Sequence, residues 1–184
     1  GGSGMTFLDF CVLLEEFGRA LVPGPYIGTA LGGAFIQAVG NDDQKKELLP
    51  KIAGGDSIIT LAFTEPSARF DADGVELTAT KDGGDYVLNG IKLFVPDAHV
   101  ADNLIVVART GGSGEAGISL FVVDAKSDGI TSTVLKTIAA DKQCEVKFEN
   151  VKVPGSALLG TEGEGWPIMH AAKRYYTVAY CAYL

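Results

Sequence analysis

With 184 residues, 47% of them hydrophobic, the chain can bury a core of its own and reads as a soluble globular protein. Its net charge of -8 and the lack of any basic block exclude a broad nucleic-acid or anionic-membrane surface, and no apolar run is long enough for a membrane span. Cys11, Cys144 and Cys181 are an odd, widely spaced set that fits neither a disulfide framework nor a metal cluster, so reduced thiols and a cytoplasmic location are expected.

Gly1-Gly2-Ser3-Gly4 reads as a linker or expression scar, and no signal-peptide pattern follows it. From residue 6 to 20, Phe7, Phe10, Cys11, Leu14 and Phe17 recur at helical spacing while Asp9, Glu15 and Glu16 leave the other side polar, which predicts an amphipathic helix. Pro23-Gly24-Pro25 ends it. Residues 27–39 are small and apolar on nearly all sides, as in a helix buried among others. Asn41 with Gln44 three positions on forms a capping-box pattern for a third helix, which Gly54-Gly55 closes.

The period then changes from near 3.6 to 2. A short strand is expected over residues 58–63, and Pro66 forbids its continuation, leaving Thr64 at the strand rim with a hydroxyl that can donate and accept. Val75, Leu77 and Ala79 alternate with polar residues, Asp82-Gly83-Gly84 turns the chain, and Asn89-Gly90 is the strongest hairpin signal present, with residues 91–95 answering 86–88. Further strands are predicted over 104–108, 118–123, 131–136 and 145–148. Trp166-Pro167 suits a helix start with Pro at its first position, and Tyr175, Tyr176, Val178, Tyr180 and Cys181 would give that helix an aromatic surface with nothing left to cover it. The fold class is therefore α+β: N-terminal helices, an antiparallel β-sandwich or barrel, and one C-terminal helix. The divisions are 5–56 for a partial helical domain, 57–160 for the β domain and 161–184 for the start of a second helical domain, as in a piece of something larger.

Four stretches carry a resemblance. They are Asp42-Asp43-Gln44-Lys45-Lys46-Glu47-Leu48-Leu49-Pro50 with Gly54-Gly55, the run from Leu61 through Thr64-Glu65-Pro66 to Asp71, Tyr86-Val87-Leu88-Asn89-Gly90-Ile91-Lys92, and Val151-Lys152-Val153-Pro154 with Gly163-Glu164-Gly165-Trp166. In this order and at these separations they resemble the acyl-CoA dehydrogenase family, and Phe94-Val95-Pro96-Asp97-Ala98-His99 is similar to its actinobacterial-type subunits. The resemblance implies an FAD enzyme that removes hydrogens from Cα and Cβ of an acyl-CoA thioester. A Glu carboxylate takes the α-proton and the flavin takes the β-hydride, with the thioester carbonyl polarised by hydrogen bonds. The family's base comes from late in its C-terminal domain, and no segment here matches it, so no catalytic residue is assigned and the chain alone is expected to be inactive.

Carried over residue by residue, the resemblance makes Leu61, Phe63 and Thr64 one flavin-lining element and Phe94, Val95 and Pro96 the second. Thr64 either hydrogen-bonds the flavin or is satisfied by its own loop. Phe94 either packs on the ring or is a core residue. Arg69, Phe70 and Arg174 are the substrate-side candidates. Phe70 stands where the family has a Ser that touches flavin and CoA, and Arg69 either meets a phosphate or is simply solvated. Pro96 stands where the family has a Thr hydroxyl, which Pro cannot replace. His99 reads as a loop histidine rather than a base. Electron-transfer flavoprotein and a homologous subunit are the implied partners. Two other functions stay open: a non-catalytic partner subunit of a heteromeric dehydrogenase, and a ligand-free β-rich interaction domain.

Overall fold

The computed structural model describes residues 4–139 and 141–184, so most of the Gly1-Gly2-Ser3-Gly4 stretch lies outside the described residues. Three helices come first: α1 (Phe7–Arg19), α2 (Tyr26–Val39) and α3 (Asp42–Gly54). The capping box at α3 forms as its residues dictate, with Gln44 N–H donating to Asn41 Oδ1 at 2.8 Å and Asn41 N–H donating to Gln44 Oε1 at 3.0 Å. Gln44 does more than cap, because its Nε2 also donates to the carbonyls of Ser156 and Leu158 and so ties the helix to the far end of the β region.

The strands are β1 (Ile59–Ala62), β2 (Thr78–Asp82), β3 (Asp85–Pro96), β4 (Asn103–Arg109), β5 (Ile118–Asp124), β6 (Ile130–Val134), β7 (Gln143–Val153) and β8 (Leu158–Leu159), followed by α4 (Gly165–Tyr183). They join in the order β6-β7-β3-β2-β4-β5-β8. Most pairs are antiparallel, but β1 lies parallel to β4, and β2 meets β4 in a single parallel bridge at Thr78 and Arg109. The β region is thus mostly antiparallel, as expected, with parallel pairing confined to this seam.

Period-2 alternation explains how two cores share the sheet. On β4, Leu104, Val106 and Ala108 enter one core with Leu88, Phe121, Cys144, Val146 and Phe148, whereas Ile105 and Val107 enter the other with Ile36, Ile59, Leu120 and Met169. The second core is the contact between the sheet and the helices. A third cluster, Leu14, Ile27, Leu31 and Ala179, joins α1, α2 and α4.

Three expectations change. Asn89-Gly90 is not a hairpin turn: both residues lie inside β3, the register with β7 shifts between Leu88 and Gly90, and the turn falls at Asp82–Asp85. Gly90 has a φ of +147°, and a Cβ there would stand 2.8 Å from Leu77 Cα, so glycine is needed for a close backbone approach, while the extra residue of the register shift lies opposite it on β7. Pro167 is the third residue of α4 rather than the first, still within the turn whose N–H groups need no intrahelical acceptor. Finally, α4 is partly covered. It packs along α1, with Phe7 and Tyr175 edge to face at 4.9 Å, although Tyr175 and Val178 stay about half exposed at 55% and 51%.

Candidate functional site

The rim of β1 and the bulged part of β3 meet through one backbone hydrogen bond and one buried side chain rather than through a ladder. Leu93 N–H donates to the Thr64 carbonyl at 2.8 Å, and Lys92 Nζ donates to the Phe63 carbonyl at 3.1 Å. Lys92 is fully buried and stands 2.6 Å from Glu65 Oε1. The Glu65 carboxylate, itself buried, also accepts Glu76 N–H at 2.7 Å and Leu77 N–H at 3.1 Å. Burial pulls the Lys92 ammonium down to about 8, with the Glu65 carboxylate opposing the fall.

Just beyond Lys92, β3 itself bulges, and Phe94 and Asp97 take φ values of 52° and 53°. Left-handed backbone at non-glycine residues costs on the order of 1–3 kcal/mol and persists only where the surroundings hold it. The bulge turns Phe94 outward, 54% exposed, while Val95 drops into the β core at 1%. Phe94 is thus not a core residue.

These pieces line one cavity of about 270 Å³. Leu61, Phe63, Thr64, Phe70, Phe94 and Pro96 form one side, and Trp166, Met169, His170, Ala172, Lys173 and Tyr176 of α4 form the other. Phe63 is the hinge of the aromatic wall, its ring 6.3 Å from Phe70 and 6.1 Å from Trp166. Burial pushes the Tyr176 phenol up, so it stays neutral and can donate a hydrogen bond across a wide pH range.

Of the residues singled out in the sequence, Leu61, Phe63, Thr64, Phe70, Phe94 and Pro96 converge here. Val95 does not, because strand alternation sends it to the opposite face. Arg69 stays on an exposed loop, its Nη2 2.9 Å from Asp71 Oδ1, and Arg174 is exposed on α4 outside the cavity lining. His99 sits exposed in the turn after β3, its Nδ1 3.9 Å from Cys144 Sγ.

Comparison with known proteins decides what this arrangement belongs to. The acyl-CoA dehydrogenase middle-domain model matches residues 60–151 and the N-terminal-domain model matches residues 1–56. The chain belongs to the acyl-CoA dehydrogenase family. It is 33% identical to acyl-CoA dehydrogenase FadE29 of Mycobacterium tuberculosis over 92% of its own length and 44% of the relative's. Among solved structures it is similar to the Tcur3481-Tcur3483 steroid ACAD G363A variant, with a TM-score of 0.91, 28% identity, and coverage of 99% of this chain and 48% of that one. It is likewise similar to the ChsE4-ChsE5 complex of Mycobacterium tuberculosis, with a TM-score of 0.84, 28% identity, and coverage of 94% and 45%. The chain therefore spans about half the length of the acyl-CoA dehydrogenases it matches.

Two groups of site residues escaped the sequence reading. The lining of α4 is a stripe at positions 166, 169, 170 and 173 and at 172 and 176, the spacing of one helix face, and that periodicity was the available signal. Lys92 shares strand parity with Tyr86 and Leu88, both buried, so its burial follows from the alternation of β3 once the bulge keeps the count. Nothing local to Glu65 marks it as the partner.

Proposed function

We propose that this chain forms the flavin-facing part of an FAD-dependent acyl-CoA dehydrogenase that acts in lipid breakdown in the cytoplasm. The observation that carries the reading is the convergence of Thr64, Phe63 and Phe94 from two strand ends, with Trp166 of α4, on a single apolar cavity. The fit to a flavin ring is chemical. Three aromatic side chains and Leu61 offer flat apolar contact, and the Thr64 hydroxyl offers one polar partner for a ring edge. The lining is apolar apart from a few groups, which suits a ring system, so the phosphates of FAD and of the acyl-CoA would lie outside it.

When bound, FAD supplies the acceptor for the β-hydride. Phe63 and Phe94 would pack on the ring and shield it from water, and Thr64 would fix its orientation through the hydroxyl. Phe70 narrows the side that faces substrate. The titratable lining is His170, Lys173 and Tyr176, with no carboxylate, so the α-proton would go to a base supplied from outside this set. Electron-transfer flavoprotein would reoxidise the flavin. A homologous second subunit is the other expected partner, in line with the paired names of two structural relatives. A sterol side chain or another bulky acyl group is the substrate class those relatives suggest.

A second reading, a partner subunit that binds FAD without catalysing, is favoured by Pro96 and Phe70, which line the cavity without any hydroxyl. The deciding experiment is the visible spectrum of the chain after incubation with FAD and gel filtration, followed by anaerobic addition of an acyl-CoA series. Retained flavin absorbance without bleaching is expected. Bleaching by acyl-CoA would show that the chain holds its own base, and a colourless protein that stays colourless with a homologous subunit present would sink the flavin reading.

A further inference from the structure

β1 and β3 are not neighbours in the sheet: β1 pairs with β4, and β3 pairs with β2 and β7. Yet the cavity needs Phe63 and Thr64 at the end of β1 to face Phe94 on β3 at a fixed spacing. What spans the gap is one ion pair and its satellites. Lys92 Nζ reaches both the Phe63 carbonyl at 3.1 Å and Glu65 Oε1 at 2.6 Å, and the next residue, Leu93, donates its N–H to the Thr64 carbonyl at 2.8 Å. Glu65 is anchored in turn by Glu76 and Leu77 N–H groups, at 2.7 and 3.1 Å.

Stability does not explain why a lysine lies fully buried here. An ion pair taken out of water gains little over well-packed apolar residues of equal volume, because desolvation of both charges offsets their attraction. A pair of this kind does fix geometry, since neither partner can move without leaving a charge unpaired in a dry interior. We infer that Lys92 and Glu65 are positioning residues for the cavity, holding the β1 rim against the bulge of β3 so that Phe63, Thr64 and Phe94 keep the spacing a planar ring requires. The inference rests on the flavin reading of the cavity. Its geometric content does not depend on which planar ligand enters.

Trp166, the single tryptophan of the chain, is the built-in reporter because its ring contacts Phe63 across the cavity. The test compares Lys92→Met, Glu65→Gln and a control, Leu88→Ala, which opens the β core away from the cavity lining. The readouts are Trp166 emission, the dissociation constant for FAD, and the urea midpoint. Lys92→Met and Glu65→Gln are expected to shift Trp166 emission to the red and to weaken FAD binding about 10- to 100-fold, the scale of a displacement near 1 Å. Leu88→Ala should lower the urea midpoint while leaving emission and FAD affinity unchanged. If Lys92→Met does not fold, the near-isosteric Glu65→Gln decides. Emission and affinity unmoved in the two site variants, or moved equally by Leu88→Ala, would overturn the positioning role. If the unaltered chain takes up no FAD even with a homologous subunit present, the flavin reading falls and Trp166 emission alone decides the geometry.

Discussion

Pro96 and Phe94 act on the same cavity with opposite consequences. Phe94 presents a half-exposed ring, and stacking on a flat ligand is worth about 0.5–1.5 kcal/mol beyond the area it covers. Pro96 also faces the cavity but carries neither a hydroxyl nor an N–H, so a ligand's polar edge meets no donor there. Phe94→Ala should therefore weaken FAD retention by at least the stacking contribution. Pro96→Thr should tighten it severalfold, since the position is within a strand that tolerates β-branched residues and the new hydroxyl gains about 1 kcal/mol if it finds a partner. Titration by quenching of flavin fluorescence checks both. Equal weakening by both substitutions would mean that Pro96 matters for the backbone of β3 and not for what the cavity lacks.

At the scale of elements, local rules were legible and long-range ones were not. The capping box of α3 and the left-handed Gly55 that ends it, φ +80°, depend on residues within a few positions of each other, and both stand where the sequence placed them. The turn at Gly83 and the strands on either side followed in the same way. Asn89-Gly90 failed because its conformation is decided by Leu77, thirteen positions earlier, against which only a glycine backbone fits. The rim residues Phe63 and Thr64 were found through motif likeness, whereas the α4 lining needed the chain to fold back over the sheet, which no local pattern states. Gly90→Ala tests this close approach. A Cβ at 2.8 Å from Leu77 Cα forces backbone to move, and overpacking of this kind costs about 1–3 kcal/mol before the strain of a positive φ is added. Urea denaturation should show a loss of that size or more. A variant as stable as the parent would show that the approach of Leu77 does not require glycine at this position.

Across the whole molecule, the buried ammonium of the sheet layer and the phenols of the helical layer respond to pH in opposite directions. Lys92 titrates near 8 when folded and near its ordinary 10.5 when unfolded, because burial disfavours the ammonium. Between those values the unfolded chain binds more protons, so stability rises with pH across the window. Tyr26 and Tyr176, packed where α1, α2 and α4 meet, have phenols pushed above their ordinary 10.0 by burial. Above about pH 10 the unfolded chain loses phenolic protons that the folded chain keeps, so their contribution falls. Lys81, raised by Glu162 but 61% exposed, keeps its proton above 10.5 and so adds to the drop rather than the climb, an effect that solvent screens. Urea midpoints at pH 7.5, 9.5 and 11 should therefore climb and then drop. Lys92→Met should flatten the climb and Tyr176→Phe should soften the drop, each without the other's effect because the partners of Lys92 are Glu65 and the Phe63 carbonyl whereas Tyr176 packs with the helical cluster. A parent midpoint that declines steadily from pH 7.5 would show that Glu65 holds Lys92 charged throughout, and with it that the ion pair, rather than its burial, dominates the seam between β1 and β3.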